Sequence, residues 1–299
     1  MVAAEASKLA RMLRTIRAAI LFPGQGASVA GSRELVEERC GELYQQAREL
    51  LADDPFELAD SSTRYAQPAI FLASLAGWRA AVDAGVEACA FAGHSLGELA
   101  ALTAAGVLAP GDGLELVVLR GQLMDEVTRT ANGGMIAILK GTVEQAERLA
   151  LTHGLRVANY NAPGQTVLSG PVRGLDDAAR DAREQGMRAL KLSVSGAFHT
   201  PALRPARVQF QQALTSVPIG TASAPVFSSM TAEPFANPVN QLAAALVQPV
   251  RWSETMAALE RAASPAYLDV GPDRVLERLV TRNLGEVRLI ERESLRVHA

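Results

Sequence analysis

A serine attacks a carbonyl only when its hydroxyl is projected, its proton is removed and the resulting oxyanion is stabilised. Gly93-His94-Ser95-Leu96-Gly97 has the pattern G-x-S-x-G. It lies between an apolar, strand-like run and an Ala-rich helical one, the strand-turn-helix setting of a nucleophile elbow. The tight turn forces Ser95 into a strained conformation that projects its hydroxyl. Gly93 and Gly97 let neighbouring backbone approach closely. The helix starting near Leu96 points free N–H groups and its positive end at the reacting centre, so the Leu96 amide is placed to bind an oxyanion.

The base must come from elsewhere, and the chain has four histidines. His94 is inside the elbow, where its side chain diverges from that of Ser95 and packs or hydrogen-bonds locally. His153, before Gly154 at a helix end, suits a surface C-cap. His298 adjoins the C-terminus. His199 remains, in the turn-rich stretch Gly196-Ala197-Phe198-His199-Thr200-Pro201, a setting that suits a catalytic loop residue. A structural role for it stays open on this ground alone. A third element, Pro23-Gly24-Gln25-Gly26-Ala27, ends the first strand-like run. It lacks both G-x-G-x-x-G and the Walker Lys-Ser/Thr, which argues against phosphate binding. The alternative is a loop amide that faces the elbow.

These residues need a frame. Apolar runs at 18–22 and 89–93 read as buried strands, 67–82 and 96–105 as buried helices, and 33–60 as an acidic helical stretch. Alternation of this kind predicts a parallel α/β core, with later strand-then-turn signals at 225–228 and 267–271. The middle of the chain differs. Strand-like 135–139, 155–159, 166–169 and 187–194 interleave with amphipathic helices at 142–152 and 175–185 in the order β-α-β-β-α-β, the ferredoxin-like pattern. The expected organisation is a large domain of 18–131 and 197–299, an inserted small domain at 132–196, and an N-terminal extension at 1–17. That extension carries Lys8, Arg11, Arg14 and Arg17 against Glu5; a transit peptide is one reading, and a frayed leader or an alternative start ahead of the fold is the expected one.

Composition narrows the function classes. With 48% hydrophobic and 20% charged residues and a net charge of -3, the chain is an ordinary globular protein. It has no basic, aromatic-interleaved tract for nucleic acid and no apolar run of membrane-spanning length. Cys40 and Cys89 form no CxxC, and no Cys/His ladder has metal-ligand spacing. Both read as reduced, buried thiols of a cytoplasmic protein. No metal is expected.

The motifs FPGQGA (22–27), GHSLGELAAL (93–102), LRGQLM (119–124), NAPGQTVLSG (161–170), GAFH (196–199), QPVRW (248–252) and LDVGP (268–272), in this order, resemble the malonyl-CoA:acyl-carrier-protein transacylase family. That family includes the stand-alone enzyme of fatty-acid synthesis and the acyltransferases of polyketide synthases. The resemblance covers nearly all the chain from about residue 19. It implies a hydrolase-like parallel-sheet large domain with a ferredoxin-like insert. It implies Ser95 as nucleophile, His199 as general base and acid, and the amides of Gln25 and Leu96 as oxyanion hole. It places Arg120 in the acyl pocket against the free carboxylate of a malonyl group, which suits a permanently charged guanidinium fork. Without the family, Arg120 would read as a helix-edge residue snorkelling to solvent. Phe198, Met124, Asn161 and His94 fall in the substrate-binding region. The aromatic ring of Phe198 leaves little room for a branched malonyl unit.

The implied reaction is ping-pong: malonyl-CoA acylates Ser95, and the phosphopantetheine thiol of an acyl carrier protein removes the malonyl group. No bound cofactor is needed. No ketosynthase or carrier segment accompanies the sequence, so a monomer acting in trans is expected. An acyl-enzyme hydrolase and a non-catalytic docking subunit are the competing readings. Two positions depart from the family. Ala245 stands where many members carry Gln, but the base is oriented there by a main-chain carbonyl, which Ala245 also has. Asp273 stands in Gly-Pro-Asp where glycine is more usual, and nothing in the sequence accounts for it.

Overall fold

The computed structural model describes residues 16–130, 132–194, 196–262 and 266–291. Residues 1–15, with the basic cluster Lys8, Arg11 and Arg14, lie outside them, as does His298. The first strand, β1, is Ile16–Phe22, so Ile16 and Arg17 belong to the fold and not to an extension. Helices α1 (Arg33–Leu51) and α2 (Thr63–Asp83), strand β2 (Val86–Gly93), and helices α3 (Gly97–Ala104) and α4 (Pro110–Thr130) follow. The helical stretch expected at 33–60 stops at Leu51. Ala52 takes a left-handed conformation (φ 59), and Pro55 lies just beyond, where its ring disfavours helix in the residue before it.

The chain then builds a separate antiparallel sheet from β3 (Gly133–Leu139), β4 (Arg156–Ala162), β5 (Gln165–Pro171) and β6 (Arg188–Lys191), with α5 (Val143–Thr152) and α6 (Val172–Glu184) between. Its strand order is β4-β5-β3-β6, the ferredoxin-like arrangement. Alternation along β3 explains how it sits. Ile136 and Ile138 pack with Leu149, Leu175 and Ala178 of the two helices, while Met135 and Ala137 face the main core, as period-2 geometry requires.

After the insert come α7 (Arg204–Thr215), β7 (Val226–Phe227), α8 (Pro238–Ala245), α9 (Trp252–Arg261), β8 (Tyr267–Asp269) and α10 (Val275–Leu284). The large sheet has the order β7-β2-β1-β8 and is parallel throughout. The run at 18–22 is fully buried, as expected of a central parallel strand covered by helices. The insert is also stitched to the large domain away from its linkers. Tyr160 N–H donates to the Val250 carbonyl at 2.8 Å, and Val250 N–H to the Ala158 carbonyl at 2.8 Å.

The two thiols differ. Cys40 is buried and Cys89 is half-exposed, against the expectation that both are buried. The β1–β2 register runs Ala18↔Ala88 and then Ala19↔Ala90. Cys89 is therefore the extra residue of a bulge, turned out of the ladder.

Candidate active site

Strand β2 ends at Gly93, and α3 begins four residues later at Gly97. Between them Ser95 takes φ 54, a left-handed conformation that costs a non-glycine residue about 1–3 kcal/mol and persists only where the surroundings impose it. Here they do. His94 N–H donates to the Phe22 carbonyl at 2.9 Å, and Gly97 and Glu98 N–H donate back to His94 and Ser95 carbonyls at 3.0 Å each. A Cβ at Gly93 would fall 2.0 Å from the Gly97 carbonyl carbon, and one at Gly97 would fall 2.0 Å from the Phe22 carbonyl oxygen. Both glycines of the pattern are thus required by backbone contact. Among the described residues, neither the Leu96 amide nor the Gln25 amide has a hydrogen-bond partner.

His199 Nε2 lies 2.9 Å from Ser95 Oγ. The two residues are 104 positions apart. His199 Nδ1 is 2.9 Å from the Ala245 carbonyl and 3.0 Å from the Gln248 carbonyl. Carbonyls only accept, so Nδ1 carries the proton and Nε2 offers a lone pair to Ser95. Ala245 is the last residue of α8, where carbonyls have no intrahelical partner and the helix end carries partial negative charge. A helix terminus thus occupies the place that a triad carboxylate takes elsewhere. Burial pushes the His199 pKa down to about 4, and the nearby charge of Arg120 adds to the shift.

Arg120, on α4, is 4% exposed. It does not snorkel. Nη1 donates to Gln67 Oε1 at 2.6 Å and Nη2 to Ser95 Oγ at 3.1 Å. Burial lowers its pKa to about 10, so it stays charged at neutral pH. Among the described residues no acid lies within ion-pair distance of it. A buried cation bonded only to neutral oxygens is poised for an anion from outside. The hydrogen bonds continue: Gln67 Nε2 donates to Thr63 Oγ1 at 2.7 Å, and Thr63 Oγ1 to Gln25 Oε1 at 2.7 Å. One chain of bonds therefore runs from the Gln25 loop through α2 and Arg120 to Ser95 and His199.

Several participants were not singled out by sequence. Gln67 and Thr63 lie in the first two turns of α2; the available signal was an amide at the head of the apolar run that follows Gln67, because such a group needs partners if the run is buried. Glu98 is 1% exposed. It accepts from Ser228 Oγ at 3.0 Å, Ser229 N–H at 2.7 Å and Ser229 Oγ at 3.1 Å. Burial raises its pKa to about 7, against those hydrogen bonds and the field of Arg120. It ties the elbow helix to the end of β7. Gln248 contributes only a carbonyl, which no side-chain pattern reports.

The remaining expected site residues are placed as follows. Met124 is buried, with its sulfur 3.4 Å from Gln67 Nε2. Phe198 is buried, and the space a Cβ at Gly196 would need is already filled by Thr128 and the Phe198 ring. His94 bonds to its own backbone, as expected of a locally bonded ring, and also reaches across the chain. Its Nε2 lies 2.8 Å from Asn161 Oδ1 on β4, and its ring packs 5.3 Å from Trp252. His94 and Asn161 thus clasp the insert to the elbow. His153 caps α5 as expected, but its ring is half-buried and pairs with Asp181 of α6 at 2.8 Å. A cleft of about 490 Å³ between insert and large domain has His199 in its wall, but neither Ser95 nor Arg120. It meets the site from the side of the base.

Comparison with known proteins shows the family. The acyl transferase domain family matches residues 46–295. The malonyl CoA-acyl carrier protein transacylase of Bacillus subtilis is 33% identical over 301 residues, covering 93% of this chain and 94% of that protein. The solved structure of the transacylase of the same name from Clostridium perfringens has a TM-score of 0.84 at 30% identity, covering 92% of each chain. A type II polyketide synthase acyl-carrier protein in complex with its malonyl-transacylase gives a TM-score of 0.84 at 28% identity, covering 95% of this chain and 98% of that one. No helix among the described residues is long and apolar enough to cross a membrane. The chain therefore belongs to the acyl transferase domain family, among the malonyl CoA-acyl carrier protein transacylases.

Proposed function

We propose that this chain moves a malonyl group from malonyl-CoA, through an ester on Ser95, to the phosphopantetheine thiol of an acyl carrier protein. On this reading residues 16–131 and 197–299 form the catalytic domain, since β1 begins at Ile16, and 132–196 the insert. His199 Nε2 takes the Ser95 proton as Oγ attacks the thioester carbonyl. The amides of Gln25 and Leu96 receive the oxyanion. The tetrahedral intermediate collapses, the C–S bond breaks, and His199 returns its proton to the CoA sulfur. The carrier thiol then repeats the sequence in reverse. This chain needs no bound cofactor for these steps, and the reading places them in the cytoplasm.

The observation that carries the malonyl assignment is the buried guanidinium of Arg120, 3.1 Å from Ser95 Oγ and without an acid partner among the described residues. It matches an acyl group that ends in a carboxylate. The test is intact-mass analysis of Ser95 acylation with malonyl-, methylmalonyl- and acetyl-CoA, followed by addition of holo carrier protein. A malonyl adduct that persists in buffer and is discharged by the carrier is expected. An adduct lost to water at the same rate with or without carrier would make the chain a hydrolase.

The pH dependence has a definite sign. His199 must be neutral to act as base, and its pKa in the free enzyme is about 4. The acylation rate is therefore expected to fall only well below the ordinary histidine range, near 6.5, and to be level through neutrality. Arg120→Ala removes a cation that favours neutral His199, so the acid limb should move upward. Single-turnover acylation by acetyl-CoA, which has no titrating carboxylate, checks both. A wild-type limb near 6.5, or no movement in the variant, would contradict this placement of the two charges.

A further inference from the structure

We infer that Asp273 is a positioning residue for oxyanion stabilisation, fixing the loop that presents the Gln25 amide. The inference rests on the acyl-transfer reading above. The loop at 23–28 touches the elbow: a Cβ at Gly24 would fall 2.5 Å from the His94 carbonyl oxygen. The loop supports itself poorly. Its internal Ala27 N–H to Gly24 carbonyl bond is long, 3.4 Å. Gly26, at φ +105, has nothing within 4 Å of where a Cβ would be. Gly26 and Ser28 are exposed. Anchors outside the loop must therefore hold it.

Two of them are hydrogen bonds. On one side Thr63 Oγ1 donates to the Gln25 side chain at 2.7 Å. On the other, Ser28 N–H donates to Asp273 Oδ2 at 3.0 Å, across 245 positions of sequence. An amide bonded to a carboxylate is a charge-assisted contact, stronger than a neutral one. The carboxylate is itself held, because Asp273 Oδ1 accepts from Val275 N–H at 3.3 Å where α10 begins. The same turn is braced by Asp269, whose two oxygens accept from Gly271 and Leu276 N–H at 2.9 Å each. Gly271 is packed against Pro23, 2.3 Å from a Cβ position to Pro23 Cγ. The turn after β8 is thus a rigid platform against the oxyanion loop, and Asp273 is its polar latch. A glycine at this position would have no side-chain acceptor to offer the Ser28 N–H.

The test measures the single-turnover acylation rate constant of Ser95 and the malonyl-CoA Kd separately, with a melting temperature for each sample. Losing an oxyanion-hole donor costs about 10²–10³ in rate. A loosened donor costs less, and Asp273→Gly is expected to acylate about tenfold more slowly with Kd unchanged. Asp273→Asn keeps an acceptor oxygen and is expected to recover most of the rate. Asp273 is only half-buried, so a folded variant is expected, and the melting temperature checks it. The inference is overturned if Asp273→Gly acylates at the wild-type rate, if Asp273→Asn is as slow as Asp273→Gly, or if the loss lies wholly in Kd. If the wild-type chain itself forms no acyl-Ser95, the transfer reading fails instead.

Discussion

Ser95→Ala and His199→Ala are each expected to lower malonyl transfer by about 10⁶-fold in kcat, and the double variant by no more than either alone. The reason is geometric. The Ser95 hydroxyl has one base, at 2.9 Å, and that base has its other nitrogen committed to the carbonyls of Ala245 and Gln248. Without the imidazole, attack must wait for an ionised hydroxyl; without the hydroxyl, there is no covalent carrier. The two act as one device, so their losses do not add. The amides of Gln25 and Leu96 remain in every variant, and residual turnover above the uncatalysed reaction is expected from them. Intact-mass trapping with malonyl-CoA, together with steady-state transfer to carrier protein, checks the prediction. A Ser95→Ala protein that still gained a malonyl group would move the nucleophile elsewhere. A double variant much slower than the singles would show that His199 acts on something other than Ser95.

What sequence disclosed here depends on how local each feature is. The elbow is five consecutive residues between a strand and a helix, and its glycines answer to contacts within that unit and the neighbouring strand. It was therefore readable in full. The ferredoxin-like insert was readable because its strands and helices follow one another in chain order with clean periodicity. His199 was reached by excluding three other histidines and by its turn-rich setting, which left a structural role open until the family resemblance was added. Arg120 shows the limit most clearly. Read alone on an apolar helix, it suggested a side chain escaping to water, whereas α4 packs against α2 and leaves it 4% exposed. The partners that make sense of it lie 53 and 25 positions away. Glu98 reaches across 130 positions, and Ser28 and Asp273 across 245. Such pairings are fixed by how the layers stack, and no window of sequence contains them. Ala245 is the opposite case. The family's usual side chain is missing there, but the atom that faces His199 is a carbonyl that every residue carries, so the expectation of a carbonyl contact did not depend on residue type.

Arg120→Ala is expected to erase the preference for malonyl- over acetyl-CoA, chiefly by loss of the malonyl reaction. Truncating one partner of a buried, hydrogen-bonded charge pair costs about 2–5 kcal/mol, or roughly 30- to 4,000-fold in kcat/KM for malonyl-CoA. The acetyl reaction has no carboxylate to strand in the pocket and should change far less. Side effects of the substitution are separable. The variant leaves Gln67 Oε1 without its donor and removes a cation whose field favours the ionised form of Glu98, so some loss common to both substrates is expected. The ratio of the two substrates cancels that common loss, which makes the ratio the quantity to measure. Arg120→Lys sharpens the reading. It keeps the charge but not the planar fork that reaches Gln67 and Ser95 together, so its malonyl preference should fall between wild type and alanine. If the kcat/KM ratio for malonyl- over acetyl-CoA were the same in wild type and Arg120→Ala, the guanidinium would be a structural ion held by Gln67 and the field of Glu98. The recognition of a carboxylate-bearing acyl group would then have to be sought in another part of the pocket.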